Sequence, residues 1–242
     1  MSPKDTLFAG KRRLVKDFDF GRNTTEVFDD MLNRSVPFYG EIQRMISEIA
    51  ADFSVDGTNL YDLGCSTCTT FLMLDRAVPE GVRFVGVDSS PEMLAFGREK
   101  LKAAGVARDS ELVCADLNKG IEVANASVVI MNLTLQFVRP LYRHQLIRRI
   151  ADGMNKDGCF ILIEKVLSRE STLNRFFIKY YHAFKRRNGY SRTEIAQKRE
   201  ALENILVPYR LGENIELLLG NGFSQCEVFF RWYNFCGFIA VK

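Results

Sequence analysis

The sequence predicts an α/β chain: a mostly parallel sheet with helices on both faces. Three observations carry that expectation. Apolar runs at residues 60–63, 82–87, 111–115, 126–131 and 159–163 alternate with stretches of helical periodicity, the mark of a parallel sheet buried on both sides. Each of the first four runs leads into a polar residue at or just beyond its carboxyl end: Asp62, Asp88, Asp116 and Asn132. Gly64 follows the first run at once, where a turn must bring backbone close to whatever binds there.

The elements follow in order. Residues 1–20 are polar with scattered Phe8, Phe18 and Phe20, and read as an irregular arm. Val27, Phe28, Met31 and Leu32 predict an amphipathic helix over 24–33 with Asn23 or Thr24 as its cap. Pro37 interrupts it and can open a second helix carrying Ile42, Met45, Ile46 and Ile49. After the first strand, residues 69–76 should be helical. Ser90-Pro91-Glu92 is a helix start with Ser90 as cap, running to about Ala104. A third strand should end at Asp116 and a fourth at Asn132. A helix over 141–155 leads to a fifth strand ending at Glu164-Lys165. Residues 168–207 break the alternation with an aromatic cluster (Phe176, Phe177, Tyr180, Tyr181, Phe184) and the basic run Lys185-Arg186-Arg187, read as a solvated helix face. That stretch is too long for an ordinary connection, so it predicts a lid or an oligomerisation element. A helix over 213–219 and strands over 226–230 and 233–241 close the chain. One domain accommodates all of this: arm and helices (1–55), core (56–166), helical insertion (167–207), and closing helix and hairpin (208–242).

Composition narrows the function. The chain has 242 residues, 47% of them hydrophobic and 26% charged, ordinary for a globular domain. A net charge of +3 is too small for a nucleic-acid footprint. Lys4, Lys11, Arg12, Arg13 and Lys16 interrupt any apolar N-terminal run, and no stretch approaches the ~20 apolar residues of a membrane span. The expected location is the cytoplasm, which suits six reduced cysteines.

Ligands of open parallel sheets bind beyond the carboxyl ends of the strands. Asp62 with Gly64, Asp88, Asp116 and Asn132 fall at four such ends; each alone fits a loop or a cap, and together they predict an adenosyl ligand. Asp88 would accept from ribose hydroxyls, Asp116 or Leu117 would flank adenine, and Asn132 would face the reacting end. Ser66 and Cys68 stand where a dinucleotide turn has further glycines, which favours a ligand without pyrophosphate, such as S-adenosylmethionine. Cys65-Ser66-Thr67-Cys68 reads as small residues in a tight turn, since no second ligand pair accompanies it and His144 and His182 are the only histidines.

Further motifs lie outside this core: Val27-Phe28-Asp29-Asp30-Met31, Arg34-Ser35-Val36-Pro37 with Tyr39, Phe184-Lys185-Arg186 with Asn188-Gly189-Tyr190-Ser191, Gln197-Lys198-Arg199 and Leu202-Glu203-Asn204. Together with Tyr61-Asp62-Leu63-Gly64-Cys65-Ser66, Asn132 with Thr134-Leu135-Gln136-Phe137, and Glu164-Lys165, they make the chain resemble the carboxy-S-adenosyl-L-methionine synthase family over nearly its whole length. The resemblance implies a Rossmann-like class I methyltransferase fold: a seven-stranded, mostly parallel sheet with an antiparallel last strand, N-terminal helices and a helical lid. It implies that Tyr39, Gly64, Cys65, Ser66, Asp88, Ser89, Asp116, Leu117 and Asn132 hold the adenosyl ligand. Arg199, its one assigned catalytic residue, would meet the carboxylate of the product. It also implies a homodimer that makes carboxy-S-adenosyl-L-methionine from S-adenosyl-L-methionine and prephenate, releasing phenylpyruvate, with no metal. The product would serve wobble-uridine modification of tRNA, without the enzyme touching nucleic acid or membrane. Cys68 replaces a glycine usual in the family and should narrow the turn; Asp88-Ser89 replaces the commoner Asp-Asn. Two other readings remain open at this point: a conventional methyltransferase acting on a small molecule or RNA, and a protein that binds the adenosyl ligand without turnover.

Overall fold

The computed structural model describes residues 3–10 and 14–242. Lys11, Arg12 and Arg13 lie outside them. In chain order the elements are α1 (Arg22–Ser35), α2 (Tyr39–Phe53), β1 (Asn59–Leu63), α3 (Thr69–Leu74), β2 (Arg83–Asp88), α4 (Pro91–Ala103), β3 (Ser110–Cys114), β4 (Ala126–Asn132), α5 (Pro140–Gly153) and β5 (Met154–Leu167). Then follow α6 (Ser171–Arg187), α7 (Arg192–Leu202), β6 (Tyr209–Arg210), α8 (Leu211–Leu219), β7 (Gln225–Trp232) and β8 (Phe235–Val241). Short 3₁₀ turns at Leu117–Lys119 and Leu135–Phe137 follow β3 and β4.

The strands pair in the order β3-β2-β1-β4-β5-β8-β7, with the two-residue β6 hanging off the end of β5. β1 to β5 run parallel, and β8 lies antiparallel to both β5 and β7. The expected seven strands are therefore all present, with β6 an addition too short to show in a sequence pattern. Strand order reverses between β1 and β4, with β2 and β3 added on one side and β5 on the other, which opens a crevice at their carboxyl ends.

Period-two alternation builds two cores from one sheet. Val129 and Met131 of β4 join Phe160 and Leu162 of β5 on the face covered by α5 and α8, where Ile147, Ile150 and Leu218 are buried. Val128, Ile130, Ile161 and Ile163 point the other way, onto Ile42, Ile46, Phe71 and Leu94 from α2, α3 and α4.

Some boundaries differ from the sequence reading. Ser90 caps α4 as expected, accepting from the Met93 N–H at 3.1 Å, with Pro91 in first position. α1 instead starts after Gly21, because the hydroxyls of Thr24 and Thr25 donate backward to the carbonyls of Asp19 and Gly21. α3 ends at Leu74. β3 ends at Cys114 rather than at Asp116, whose side chain accepts from the Asn118 N–H and opens the 3₁₀ turn. Among the described residues no helix is long and apolar enough to cross a membrane.

Candidate functional site

A cavity of about 270 Å³ sits at the carboxyl ends of β1, β2 and β4. Tyr39, Gly64, Cys65, Ser66, Asp88, Ser89, Asp116, Leu117 and Asn132 all line it. The sheet brings them together because each lies at, or one turn beyond, a strand end. Tyr39 comes from outside the sheet, at the start of α2, where its hydroxyl accepts from Gln43 Nε2 at 2.9 Å.

The turn after β1 is held open by backbone geometry. Gly64 has φ +89°, and a Cβ there would overlap the Thr134 side chain. The N–H groups of Gly64 and Cys65 both donate to the Val87 carbonyl, at 2.7 and 3.0 Å. Asp88 then closes the turn: one carboxylate oxygen accepts from the Ser66 N–H at 3.0 Å, the other from the Ser90 N–H at 2.9 Å. The first oxygen also accepts a long bond from the Ser66 hydroxyl at 3.5 Å, and the second keeps a free lone pair, which suits a ribose hydroxyl. Burial pushes the Asp88 pKa up, and those N–H donors restrain the rise.

Cys68 does not narrow the turn toward the cavity. It takes a left-handed conformation (φ +58°) that a glycine would adopt without strain. Its side chain is fully buried on the far side, where a Cβ built at Gly97 of α4 would come within 2.6 Å of the Cys68 sulfur. The missing side chain at Gly97 makes room for the one present at 68.

Two further groups support the nucleoside end. Asn132 Oδ1 is buried and without a hydrogen-bond partner among the described residues, an orphaned acceptor beside a cavity. Asp62, behind the turn, is fully enclosed, with the Thr70 hydroxyl nearby and neither carboxylate oxygen in a close hydrogen bond among the described residues. Burial, with the Asp88 charge adding, raises its pKa to about 7, and only the Thr70 hydroxyl pulls it back. A free lone pair on Asp88 Oδ1, an unsatisfied Asn132 amide oxygen and a turn without a side chain at Gly64 fit an adenosyl ligand.

The segments flanking the core close this cavity, and they do so on each other. Asp29 of α1 accepts from the hydroxyls of Thr67 (2.8 Å) and Thr69 (3.2 Å) and pairs with Lys100 at 2.6 Å, which pins α1 to the turn. Arg34 donates to the Asn188 carbonyl while Asn188 donates back to the Arg34 carbonyl, and the guanidinium lies 4.0 Å from the centre of the Tyr190 ring. Gln197 donates to the carbonyls of Phe8 and Gly10, both at 2.9 Å. The Phe18 N–H donates to the Ala201 carbonyl, and the Ser90 hydroxyl to the Phe20 carbonyl. Phe18 and Phe20 thereby become cavity wall, Phe20 edge-on to Phe137 with ring centres 5.3 Å apart.

Arg199 is placed otherwise. It is exposed and absent from the cavity lining, whereas its neighbour Lys198 is buried and lines it. Successive helix positions differ by about 100°, and α7 turns its Ile195–Lys198–Ala201 face inward. Lys165, Tyr181, Gln136 and Lys198 are cavity residues that the sequence reading did not assign. The run 185–187 divides: Lys185 is buried and Arg186 and Arg187 are exposed.

The fold and the strand-end site define a class I methyltransferase-type nucleoside-binding domain. The sequence profile of the Methyltransferase domain family matches residues 60–158. Among solved structures, a SAM-dependent methyltransferase from Aquifex aeolicus superposes with TM-score 0.60 at 15% identity, over 93% of this chain and 99% of that one. A cyclopropane synthase from Mycobacterium tuberculosis gives 0.57 at 16%, over 81% and 67%. Both likenesses are of fold. Curated relatives speak to the family. The carboxy-S-adenosyl-L-methionine synthase of Methylococcus capsulatus is 55% identical over 99% of both chains. That of Sulfurimonas denitrificans is 46% identical over 96% of this chain and 97% of its own. The chain belongs to the carboxy-S-adenosyl-L-methionine synthase family.

Two outcomes are expected from this geometry. The Asp62 pKa is raised on folding, so the native state holds that proton more tightly than the unfolded chain. Its contribution is favourable at low pH and is lost as pH climbs toward about 7. Against wild type in urea titrations, Asp62→Asn should gain stability by roughly 1 kcal/mol per pH unit from about pH 5 to 7 and level off above; a pH-independent difference would refute the buried-acid assignment. Gly97→Ala should destabilise by ~1–3 kcal/mol through its clash with Cys68. Most of that loss should vanish in a Cys68→Gly background, and additive effects would mean the two side chains do not compete for one space.

Proposed function

We propose that this chain is a carboxy-S-adenosyl-L-methionine synthase, converting S-adenosyl-L-methionine and prephenate into carboxy-S-adenosyl-L-methionine, phenylpyruvate and water. The observation that carries the reading is the full-length likeness to the curated synthases, because it spans the segments around 27–39 and 184–204 that close this cavity. A likeness confined to the sheet would support only adenosyl binding.

The chemistry balances without an added oxidant or reductant. The sulfonium of S-adenosyl-L-methionine acidifies its methyl group. A methyl C–H bond breaks and its electron pair forms a C–C bond to carbon dioxide. Prephenate supplies that carbon dioxide by losing its ring carboxylate as the ring becomes aromatic, and the departing ring hydroxide takes the methyl proton as water. The protein's share is to bind, orient and exclude water. Asp88 takes the ribose hydroxyls, Asp116 and Leu117 flank adenine, and the 64–66 turn with Asn132 holds the methionine end. Burial lifts Asp62, so it adds less negative charge beside the cavity than an ordinary carboxylate. Phe18, Phe20 and Phe137 keep the cavity dry, which matters for a carbanion-like carbon.

Arg199 is assigned to the carboxylate grafted onto the methyl carbon, as a permanent planar cation. Its outward position on α7 fits action across a dimer interface. Leu173 and Phe176 on the outer face of α6 are 50% and 45% exposed, an apolar surface that suits a second copy of the chain. We place the reaction in the cytoplasm, with the product passing to a tRNA-modifying transferase at wobble uridine and prephenate as the only other small-molecule partner.

Mass spectrometry of the ligand that copurifies with the protein tests the reading. An adenosyl species heavier than S-adenosyl-L-methionine by one carboxylate is expected; unmodified S-adenosyl-L-methionine alone would favour a conventional methyltransferase. With both substrates supplied, phenylpyruvate should accumulate, and none forming would favour a passive binder. Arg199→Ala should shed the carboxylated ligand by on the order of 10- to 100-fold while holding S-adenosyl-L-methionine nearly as before; equal loss of both would remove Arg199 from its role.

A further inference from the structure

Beyond the adenosyl end, the cavity wall carries cations with almost no acids to balance them. Lys165, at the end of β5, and Lys198, on the inner face of α7, both line the cavity with Tyr181 of α6. Lys185, one turn along α6 from Tyr181, is 6% exposed. The Nζ atoms of Lys165 and Lys185 each lie 4.7 Å from the centre of the Tyr181 ring. Lys198 Nζ donates to the Ser35 hydroxyl at 3.4 Å and stands 3.9 Å from Asp5. That carboxylate is already engaged by the Tyr190 hydroxyl at 2.5 Å and the Leu7 N–H at 3.1 Å. Among the described residues, no carboxylate pairs with Lys165 or Lys185. Aromatic faces partly compensate such cations, yet a buried ammonium without an anion is costly.

The strain is visible on each group. Burial lowers Lys165 to about 8 and Lys198 to about 8. Lys185 falls to about 6, chiefly by burial, with the charges of Lys165, Lys198 and Arg199 adding to it. The same positive surroundings, after burial, depress His182 to about 4.

We propose that Lys165 and Lys198 form the anion seat of the second substrate, binding the carboxylates of a small dianionic acid, with Tyr181 as its floor. This rests on the proposed synthase reading, which requires a dicarboxylate donor beside the adenosyl ligand. It assigns to that donor residues distinct from Arg199, which points out of this cavity. One carboxylate can neutralise Lys165, which has no counter-ion among the described residues, and the other can share Lys198 with the already engaged Asp5.

The test titrates prephenate into protein saturated with S-adenosylhomocysteine. Lys165→Met and Lys198→Met should each weaken prephenate binding on the order of 10- to 100-fold, and raise its KM alike, while S-adenosylhomocysteine affinity moves by less than about threefold. Lys165→Arg should recover much of the loss. In the ligand-free protein, Lys165→Met should raise the melting temperature by ~2–4 °C, because an uncompensated buried charge has gone. A merely structural lysine would show the opposite, a lower melting temperature with unchanged KM. Unaltered prephenate binding in both Met variants overturns the seat, as does parallel loss of S-adenosylhomocysteine, which would place the lysines on the methionine carboxylate instead. The two readings fail separately. Lysine-dependent prephenate binding without phenylpyruvate in wild type sinks the reaction and leaves the seat. Undiminished turnover in both Met variants sinks the seat and leaves the reaction.

Discussion

An ammonium group taken out of water without a partner lowers the stability of the fold that buries it. This chain buries three lysines in one cluster: burial lowers Lys165 and Lys198 to about 8 and Lys185 to about 6, so that Lys185 is largely neutral at neutral pH while Lys165 keeps a charge that no carboxylate pairs among the described residues. The surrounding architecture is arranged to tolerate that cost. Tyr181 offers an aromatic face to two of the cations, and Asp5 gives Lys198 a distant counter-charge. The long apolar strands β4 and β5 supply the core against which the cluster is held. The proposed dianionic ligand would convert the cost into affinity, since its charges would enter a site whose polar groups are already in place and already desolvated.

The opposite end of the cavity follows another logic. There the chain presents acceptors: Asp88 with a spare lone pair on Oδ1, the orphaned Asn132 Oδ1, and Asp116. Neutral hydroxyls and an amino group suit such a set, and a carboxylate does not. The turn between the ends is fixed by Gly64 and by Asp88 reaching back to Ser66, so the two regions meet at a rigid point. On the proposed reading, polarity within one pocket would orient two substrates of different charge, which is what a group transfer between them needs.

Much of this was legible in the sequence, and the limits have physical causes. The sheet could be read because buried parallel strands are nearly continuous apolar runs, and the ligand-facing residues because they must follow those runs. Arg199 was the attractive choice for its chemistry, but chemistry does not say which way a helix faces. The spacing of Ile195, Lys198 and Ala201 does, and it puts Lys198 inward. In the same way Lys185 sits one turn from Tyr181 on the buried face of α6, while Arg186 and Arg187 give the run its solvated look. The arm could be read as irregular, but its destination could not. Phe18 and Phe20 have no periodicity, and backbone hydrogen bonds to distant partners at Ala201 and Ser90 carry them to the cavity. The direction of Cys68 depended on a gap at Gly97, in a different helix.

Such a division of the cavity makes a positional claim that a crystal structure tests most directly. In a complex with S-adenosylhomocysteine and phenylpyruvate, the ribose should sit on Asp88, and the phenylpyruvate carboxylate should lie ~3 Å from the ammonium of Lys165 or Lys198. A carboxylate bound elsewhere, with both lysines facing only protein and water, would contradict it.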